Sequence, residues 1–432
     1  MKIALPNCEY SYVTENSTEC DAQTAFVLTA QNEKYLDDAK RHNPHSIINV
    51  SDITHIFGLD RIKIIGITGT NGKTSTASAI YSYLLDLGYK TAMQGTRGFF
   101  MNDEVIEAKS LTTPSVLNTY RHIYQAVASG CEFFIMEVSS HAIVQKRIEG
   151  IDFELKILTN ITQDHLDYHH TLEEYIQVKN SFFQDDTKKL INRDESKADF
   201  NFKNAFTYGM EHNATYKMMA YSLNDGISGI IQHFQDVVPF HSDLHGFFNL
   251  YNTLAAFGAV HLVTGKSLEE VSDVVGNFAG VSGRMEKVSC DPDVIVDFAH
   301  TPDGMAQVLN ALKEKELLVV FGAGGDRDQS KRPLMGKIAG ALAKKIYLTS
   351  DNPRNEDPDA IIAEIKEGVD ERCELYINPN RKEAIAKALE EQLEGEIVLV
   401  LGKGDESYQI IYDQKFPFDD RNVVRELLKN KE

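Results

Sequence analysis

The sequence feature that most constrains the fold is the alternation of short apolar runs with longer helical patterns. Runs that are apolar almost throughout are typical of strands covered by helices on both faces, and their alternation with helices indicates βαβ units and parallel sheets. Residues 200–241 are polar and poorly periodic, which predicts an antiparallel excursion or long loops. The sequence therefore predicts an α/β fold. The clearest strand candidates are Ile62–Thr68, Phe133–Val138, Leu155–Ile161, Val294–Phe298, Leu317–Phe321, Lys345–Thr349 and Ile397–Leu401.

Length and two breaks in this pattern divide the chain into three predicted domains. At 432 residues the chain is too long for one ordinary hydrophobic core. The first 60 or so residues carry only short strand candidates, Ala25–Thr29 and Ser46–Val50, around one helix. Gly280 and Gly283 interrupt the pattern before a new series of strands begins. We predict a small N-terminal α/β domain (1–60), a central parallel-sheet domain (61–279) and a C-terminal Rossmann-like, doubly wound domain (280–432).

Composition argues against several classes of partner. The formal net charge of −20 disfavours a general nucleic-acid-binding surface, because affinity for the phosphate backbone needs positive charge. The cysteines are scattered without a CxxC pair, so neither a zinc site nor a disulfide framework is expected, and reduced thiols fit a cytoplasm. No run approaches the roughly 20 apolar residues that span a bilayer, and no signal-peptide pattern opens the chain. We expect a cytoplasmic protein that binds neither nucleic acid nor membrane.

A glycine-rich turn follows the Ile62–Thr68 run and leads into a helical pattern. Such a turn directs backbone N–H groups and the positive end of the helix dipole at one point, which suits phosphate. Lys73 would neutralise the terminal phosphates, and Thr74 could bind Mg²⁺. The first glycine of the usual pattern would fall at Ile67, and the alternative is a plain strand–helix turn with an incidental lysine. We predict nucleotide binding in a central domain of the P-loop type, through Gly69, Thr70, Asn71, Gly72, Lys73, Thr74 and Ser75.

The helical pattern over residues 171–183 has a lysine on its apolar face. Leu172, Ile176 and Phe183 share that face, and Lys179 lies on it as well. A charged lysine on a buried face is costly unless it is paired or chemically changed. The alternative is a side chain that extends along its aliphatic stem to water.

Two residues that can bind a metal ion lie at the ends of predicted strands in the central domain. Glu137 closes the Phe133–Val138 run, and His165 follows Leu155–Ile161. The carboxyl ends of parallel strands meet at one edge of a sheet, where ligands bind. Glu137 and His165 are therefore candidates for a Mg²⁺ site near the transferred phosphate. A helix-capping or core role for His165 is the alternative.

Polar loops follow the strand candidates of the C-terminal domain and should frame one pocket. Arg327 and Arg354 suit a carboxylate, whereas Asp351 and Glu406 suit an ammonium, and an amino-acid substrate needs both. The glycine-rich segment 322–326 also fits a dinucleotide-binding pattern. No helix follows at once, so a plain βα turn is favoured.

Together these segments resemble the Mur ligase family, which builds the stem peptide of peptidoglycan. The resemblance runs from about Ile64 to Glu406 and leaves the first 60 residues almost uncovered. Asp351-Asn352-Pro353-Arg354 is similar to the motif of members that add meso-2,6-diaminopimelate. The other matching segments are residues 68–74, 137–141, 160–167 and 283–286, with Asn249 and Asn252.

The resemblance implies three sets of binding residues and one metal site. ATP would be bound by the phosphate loop with Asn252, Arg284, Asp297 and His300. The substrate UDP-N-acetylmuramoyl-L-alanyl-D-glutamate would be bound by Ser17, Thr112, Thr113, Ser139, Gln145 and Arg147. Diaminopimelate would be bound by Arg327, Asp351, Asn352, Arg354, Gly402 and Glu406. Lys179 matches the family's carbamylated lysine, which makes Thr74, Glu137, His165 and Lys179 the implied Mg²⁺ ligands and Lys73, Glu137, His165 and Lys179 the implied catalytic groups.

The resemblance also implies a mechanism and a monomeric state. ATP would phosphorylate the γ-carboxylate of D-glutamate, and the amine of diaminopimelate would displace phosphate from the acyl phosphate. Two departures stand out: Asp405 replaces the usual histidine before Glu406, and the N-terminal domain lacks a clear Asp-Ser-Arg motif, which leaves Ser17 as the uridine candidate. The alternatives are a lysine-adding member, a folate-polyglutamylating synthetase, and a nucleotide-hydrolysing switch that makes no amide bond.

Overall fold

The computed structural model describes residues 2–5, 8–108 and 111–429. Three sheets with their helices make up this part of the chain, and the predicted α/β class is confirmed. Residues 1, 6, 7 and 430–432, at or near the ends of the predicted first and third domains, lie outside the described residues. The domain boundaries at 60 and 279 stay predictions.

The N-terminal part is a four-stranded sheet in the order β1-β2-β3-β4. Its last three strands run parallel, and β1 is antiparallel to β2. The two predicted strands, Ala25–Thr29 and Ser46–Val50, are β3 and β4, each shifted by one residue at one end or both. The strands are β1 (Ile3–Ala4), β2 (Tyr12–Thr14), β3 (Thr24–Leu28) and β4 (Ser46–Asn49), and the helices are α1 (Leu36–Arg41) and α2 (Val50–Ile53), with 3-10 turns at Ser17–Glu19, Glu33–Tyr35 and Leu59–Arg61.

The central part is an eleven-stranded sheet in the order β15-β14-β13-β12-β11-β10-β5-β9-β6-β7-β8. The strands are β5 (Lys63–Thr68), β6 (Thr91–Gly95), β7 (Gly98–Met101), β8 (Glu104–Ala108), β9 (Phe133–Glu137), β10 (Leu155–Leu158), β11 (Lys189–Asn192), β12 (Ala205–Gly209), β13 (Tyr216–Ser222), β14 (Ile227–His233) and β15 (Asp236–Ser242). The helices are α3 (Lys73–Asp86), α4 (Val116–Ala128), α5 (Ser140–Val144), α6 (Leu166–His169), α7 (Leu172–Ser181), α8 (Phe247–Thr264) and α9 (Leu268–Val275).

Both faces of the central sheet are covered, as the uniformly apolar strands predict. On β5, Ile65 and Ile67 pack with α3 and α8, while Ile64 faces α4 on the other side. The run from β5 to β13 is parallel, and hairpins form both edges. The antiparallel excursion predicted within 200–241 is confirmed in β13–β15, whereas β12 continues the parallel run.

One predicted strand is shorter than expected. The sequence predicts a strand over Leu155–Ile161, but β10 ends at Leu158. The chain leaves the sheet there because the next two residues bond to the glycine-rich turn. The Thr159 hydroxyl donates to the Asn71 carbonyl at 2.6 Å, and the Asn160 carbonyl accepts the Thr70 N–H at 2.8 Å.

The C-terminal part is a six-stranded sheet in the order β16-β17-β21-β18-β19-β20, parallel except for β16, beside a separate hairpin. The strands are β16 (Glu286–Cys290), β17 (Asp293–Asp297), β18 (Leu317–Phe321), β19 (Lys345–Leu348), β20 (Glu374–Ile377), β21 (Ile397–Leu401), β22 (Tyr408–Ile411) and β23 (Gln414–Pro417). The helices are α10 (Pro302–Ala311), α11 (Lys331–Leu342), α12 (Pro358–Lys366), α13 (Arg381–Glu391) and α14 (Asp420–Lys429).

Apolar clusters cover both faces of this sheet, so the doubly wound prediction is confirmed. The carboxyl ends of β17, β18, β19 and β21 share one edge, where the polar loops emerge. Within the described ranges, no helix combines the length and apolar character needed to cross a membrane.

Candidate active site

A cavity of about 560 Å³ is lined jointly by loops of the central and C-terminal sheets. The phosphate loop and the ends of β9 and β10 line one side, and loops after β17, β18, β19 and β21 line the other. The predicted residues in its lining are Thr70, Asn71, Gly72, Lys73, Thr74, Ser75, Thr112, Glu137, His165, Asn252, Arg284, Asp297, His300, Arg327, Asp351, Asn352, Arg354, Gly402 and Glu406. The predicted residues outside this lining are Ser17, Gly69, Thr113, Ser139, Gln145, Arg147 and Lys179.

The phosphate loop has the backbone that its glycines predict. Gly72 has φ +83° and immediately precedes α3, so the first N–H groups of that helix face the cavity. A Cβ at Gly72 would lie 2.4 Å from Oδ1 of Asn252, which leaves room only for glycine. The loop also contacts α7, because the Thr70 hydroxyl and the Tyr175 hydroxyl lie 3.0 Å apart.

Two lysines converge on one carbonyl oxygen of this loop. Lys73 Nζ donates to the Gly69 carbonyl at 2.8 Å, and Lys179 Nζ donates to the same oxygen at 2.9 Å. Lys179 is only 1% exposed, so it does not extend to water. Burial, reinforced by the nearby Lys73 charge, places the pKa of Lys179 well below its usual value. Burial also lowers the pKa of Lys73, although Glu137 and Asp164 oppose this.

Glu137 lies at the centre of a hydrogen-bond network next to the loop. Its Oε2 accepts the Thr74 hydroxyl at 2.9 Å, and its Oε1 accepts the Thr96 N–H at 2.9 Å. Glu137 is 2% exposed, and a Cβ at Gly95 would lie 2.1 Å from its Oε1. The carboxylate is therefore fixed beside the first turn of α3.

His165 also lines the cavity and has a left-handed backbone conformation with φ +55°. Its Nε2 is 3.4 Å from Oδ2 of Asp164. Burial lowers the pKa of His165, so the neutral imidazole is favoured, although Asp164 opposes this. Burial opposes the ionisation of Asp164, but His165, Lys331 and His300 outweigh it, and the pKa of Asp164 lies below its usual value.

Arg284, Asp297 and His300 lie together on the C-terminal side of the cavity. The Arg284 guanidinium lies 4.1 Å from the centre of the Phe298 ring. Asp297 accepts the backbone N–H groups of Met285 and Ala299 at 2.7 Å each, and burial raises the pKa of its carboxyl. Burial also lowers the pKa of His300.

One hydrogen bond joins the phosphate loop directly to the C-terminal side. Asn71 Nδ2 donates to Oδ2 of Asp303 in α10 at 2.9 Å. Asn252, on α8, completes this wall, and its Nδ2 donates to Oδ1 of Asn249 at 3.0 Å.

The predicted amino-acid residues meet at the other end of the cavity. Asn352 Nδ2 donates to Oε2 of Glu406 at 2.9 Å. Gly402 has φ +110°, and a Cβ there would lie 2.4 Å from Oδ2 of Asp351. Arg354 NH1 donates to the Gly325 carbonyl at 2.8 Å. This end of the cavity thus combines guanidinium and carboxylate groups.

The β22–β23 hairpin fixes the loop that carries Arg354. Arg354 has φ +52°, a conformation that is uncommon for residues other than glycine. Its N–H donates to the Ile410 carbonyl at 3.1 Å, and its carbonyl accepts the Tyr412 N–H at 2.8 Å. Arg327, in contrast, is exposed, and its NH1 donates to the Asp326 carbonyl at 3.0 Å.

Two glycines bring the loop after β21 into backbone contact with the segment that carries Arg284. A Cβ at Gly283, beside Arg284, would lie 2.1 Å from the N of Asp405. A Cβ at Gly404 would lie 2.6 Å from the Gly283 carbonyl oxygen. Both glycines have positive φ, so side chains are excluded by space and by conformation.

Four of the residues predicted to bind the UDP-linked substrate form a connected group. The Thr113 hydroxyl accepts the Ser139 N–H at 3.0 Å, and Arg147 NH1 donates to the Thr113 carbonyl at 2.7 Å. Arg147 also donates twice to Oε1 of Gln145, which accepts the Gln31 side-chain N–H at 2.9 Å from the segment after β3. Thr112, in the cavity lining, lies 3.0 Å from the Thr96 hydroxyl. Ser17 is buried in the first 3-10 turn.

Several residues at the site were not predicted from the sequence. Tyr175 could have been found, because it precedes Lys179 by one helical turn on a face that turned out to be buried. Leu172 and Ile176, the expected apolar neighbours, are only half-buried. Asp303 and Gln31 carry no periodic signal, because their contacts join segments that are distant in the chain.

A parallel sheet with a phosphate loop, facing a second sheet with an amino-acid-type pocket, defines the class of ATP-dependent ligases that join an acid to an amino acid. The chain belongs to the Mur ligase family. The Mur ligase middle domain matches residues 67–260, and the Mur ligase glutamate ligase domain matches residues 283–404.

Several relatives of high identity carry one name, UDP-N-acetylmuramoyl-L-alanyl-D-glutamate–2,6-diaminopimelate ligase. The chain is 53% identical to that of Wolinella succinogenes, over 98% of each chain. It is 48% identical to that of Helicobacter pylori, over 98% of this chain and 96% of the relative. A solved structure with the same name superposes with a TM-score of 0.68 at 29% identity, covering 100% of this chain and 99% of the other.

Proposed function

We propose that this protein adds meso-2,6-diaminopimelate to the D-glutamate γ-carboxylate of UDP-N-acetylmuramoyl-L-alanyl-D-glutamate, with hydrolysis of ATP to ADP and phosphate. The observation that carries the proposal is the single cavity with a phosphate loop at one end and Asp351, Asn352, Arg354 and Glu406 at the other. The full-length similarity to relatives named for this reaction supports the same substrates. The reaction is a step of peptidoglycan precursor synthesis.

The residues present fit a hard divalent cation near the loop. Thr74 and Glu137 offer oxygen ligands and His165 offers a neutral imidazole, which suit a divalent ion beside phosphate. Lys179 fits only after carbamylation, because an ammonium repels a cation. Its lowered pKa favours the neutral amine, the form that attacks carbon dioxide. When bound, Mg²⁺, the ion we propose, supplies positive charge to the phosphoryl oxygens.

The chemistry consists of two displacements at one carboxyl group. The D-glutamate γ-carboxylate attacks the terminal phosphorus of ATP, a carboxyl O–P bond forms, and ADP leaves. The free amine of diaminopimelate then attacks the acyl carbon, a C–N bond forms, the C–O bond to phosphate breaks, and the amine loses a proton. Lys73 and the N–H groups at the start of α3 stabilise charge on the transferred phosphoryl group.

The C-terminal loops orient the attacking amine. Arg354 binds the carboxylate at the far amino-acid centre of diaminopimelate, Glu406 binds the ammonium there, and Arg327 adds a second guanidinium at the mouth. Fixing the far end places the near amine at the acyl phosphate, and this positioning lowers the entropic part of the barrier. The UDP-linked substrate is held by the group around Thr113 and Arg147.

We place the reaction in the cytoplasm, where ATP and nucleotide-linked precursors are available. In a lysine-adding ligase Arg354 would have no carboxylate to bind, because L-lysine has none at its far end. A nucleotide switch would have no use for the amino-acid end of the cavity.

The deciding experiment is phosphate release from ATP in the presence of Mg²⁺ and UDP-N-acetylmuramoyl-L-alanyl-D-glutamate, with meso-diaminopimelate or L-lysine. We expect release that requires diaminopimelate and an amide product of the corresponding mass. Preference for lysine would discard the assignment of Arg354, and release indifferent to both amino acids would favour the switch.

A further inference from the structure

Lys403 is a buried lysine in the loop after β21 to which the motifs and the family resemblance assign no role. Its side chain is 0% exposed. Its Nζ lies 3.0 Å from Oε2 of Glu406 and 3.3 Å from Oδ1 of Asn352, so it contacts two residues of the amino-acid end of the cavity. Burial of a lysine is costly unless the ammonium is paired. Here the partner is Glu406, which is itself a candidate for binding the substrate.

Lys403, Asn352 and Glu406 each contact the other two, and we call these three residues the triangle. Asn352 Nδ2 donates to the same Oε2 of Glu406 at 2.9 Å, and Asn352 Oδ1 also accepts the Ile410 N–H at 2.8 Å. The amide orientation of Asn352 is thereby fixed on both sides. Asn352 follows β19 and Glu406 follows β21, and β18 lies between these strands. Lys403 therefore joins two loops that the sheet itself does not hold together.

The triangle leaves one side of the Glu406 carboxylate available. Both bonds from Lys403 and Asn352 reach Oε2, and within the described ranges Oε1 has no hydrogen-bond partner. An ammonium needs an acceptor whose position is fixed, because a mobile carboxylate loses side-chain entropy on binding. Oε1 of Glu406 is such an acceptor.

Lys403 also changes the charge at this end of the cavity. Lys403 adds one positive charge beside the carboxylate of Glu406, in addition to the guanidinium groups of Arg327 and Arg354. Diaminopimelate has one more carboxylate than L-lysine, so its net charge is more negative by one. The positive charge that Lys403 adds opposes L-lysine more than diaminopimelate, and this opposition adds to the contact with Arg354.

Resting on the proposed function, we propose that Lys403 is a positioning and specificity residue: it fixes Glu406 and Asn352 for the far amino-acid centre of diaminopimelate and disfavours L-lysine. It acts through Glu406 and Asn352 and through charge, without taking part in either displacement.

The test compares Lys403→Met with a matched control, Lys415→Met. Lys415 is an exposed lysine on the β22–β23 hairpin, and its Nζ lies 4.3 Å from the centre of the Tyr408 ring. In Lys403→Met we expect the KM for diaminopimelate to rise about tenfold, the scale of one hydrogen bond to a charged group. The KM values for ATP and for the UDP-linked substrate should stay within about twofold, and the preference for diaminopimelate over L-lysine in kcat/KM should fall about fivefold. Lys415→Met should leave all four values unchanged.

A double-mutant cycle separates action through Glu406 from a general loss of structure. If Lys403 acts through Glu406, Lys403→Met should cost much less in a Glu406→Gln background than in wild type. Lys403→Gln, which retains a donor without charge, should keep most of the affinity for diaminopimelate but lose the discrimination against lysine. This variant also gives an answer if the methionine variant fails to fold.

The outcomes distinguish the two proposals. A wild type without diaminopimelate-dependent phosphate release overturns the proposed function and this inference with it. An active wild type whose Lys403 variants keep the KM for diaminopimelate and the amino-acid preference overturns the inference alone. Equal rises in the KM for ATP and for diaminopimelate, or multiplicative effects in the cycle, also overturn it.

Discussion

Lys179 and Lys403 are two lysines buried to the same extent in surroundings of opposite kinds. Lys179, 1% exposed, donates to a backbone carbonyl and lies near a second lysine. Lys403, 0% exposed, lies against the Glu406 carboxylate. A second cation nearby drives a buried ammonium towards its neutral form, as for Lys179, whereas Lys403 forms an ion pair. Burial alone therefore does not reveal what a lysine does; the sign of its nearest charged neighbour does.

The largest effect should come from removing the lysine without a counter-ion. Lys179→Met should lower kcat about a thousandfold, because a proposed ligand of the metal ion beside the transferred phosphoryl group is lost. Steady-state phosphate release measures this, and ¹³C NMR with labelled bicarbonate should show a carbamate signal in wild type only.

Lys156→Met is the matched control for this first variant. Lys156 is also buried in the central sheet, but it pairs with Asp185 away from the cavity, so its loss should leave kcat within about threefold. A Lys179→Met enzyme that kept a tenth of wild-type kcat would remove the distinction between the two buried lysines of the comparison.

The second-largest effect should come from removing the guanidinium of Arg354, at the end of the cavity next to Lys403. Arg354→Ala should raise the KM for diaminopimelate about a hundredfold, because a charged, partly buried contact to a carboxylate is lost. The KM for ATP should not change. Equal effects on both substrates would discard the assignment, and Arg372→Ala, an exposed arginine in the same part that pairs with Asp370, serves as control.

The two ends of the cavity also differ in how well the sequence predicts them. The phosphate loop was predicted because its glycines, its lysine and the flanking strand and helix are adjacent in the chain. Lys179 was singled out because one helical face carries information about burial. Lys403 was not, because a loop has no period, and the partners Asn352 and Glu406 approach it only when β19 and β21 are assembled around β18.

The strands show the same difference between features set by the local sequence and features set by tertiary contacts. The bounds of Leu317–Phe321 and Ile397–Leu401 agree with the structure, because buried parallel strands are apolar from end to end. Leu155–Ile161 was predicted too long, since side-chain bonds from Thr159 and Asn160 to the phosphate loop end the strand early. Tertiary contacts of this kind leave no periodic trace in the sequence.

A third effect should appear where the two ends touch. Gly404→Ala places a Cβ 2.6 Å from the Gly283 oxygen and 2.7 Å from Cβ of Phe298, so both backbones must shift. We expect the KM values for ATP and diaminopimelate to rise together, about tenfold each. Gly395→Ala, at a positive-φ turn where a Cβ meets nothing within 4 Å, controls for backbone strain alone. A rise confined to one substrate would show that the ends act separately.

The smallest effect extends the comparison to a buried imidazole. His122 is 1% exposed, its Nε2 lies 3.0 Å from Glu107 Oε2, and its ring stacks on Phe99. Burial lowers the pKa of His122 from 6.5 to about 4. Between these values the unfolded chain binds a proton that the native state does not, so stability should fall as the pH drops from 6.5 to 4, by at most about 3 kcal/mol.

Urea unfolding between pH 4.5 and 7 measures this dependence. His122→Gln should flatten the slope, whereas the same change at the exposed His42 should not. An unchanged slope in His122→Gln would show that Glu107 stabilises the imidazolium despite burial.

The contact between Gly283 and Gly404 has a consequence for redesigning the enzyme towards other amino acids. A loop grafted between β21 and β22 must keep a residue without a side chain at position 404, whatever substrate it is meant to bind. A lengthened graft would press on the segment that carries Arg284. Selections for altered amino-acid use should therefore recover compensating changes at residues 282–285, which face the grafted loop across this contact.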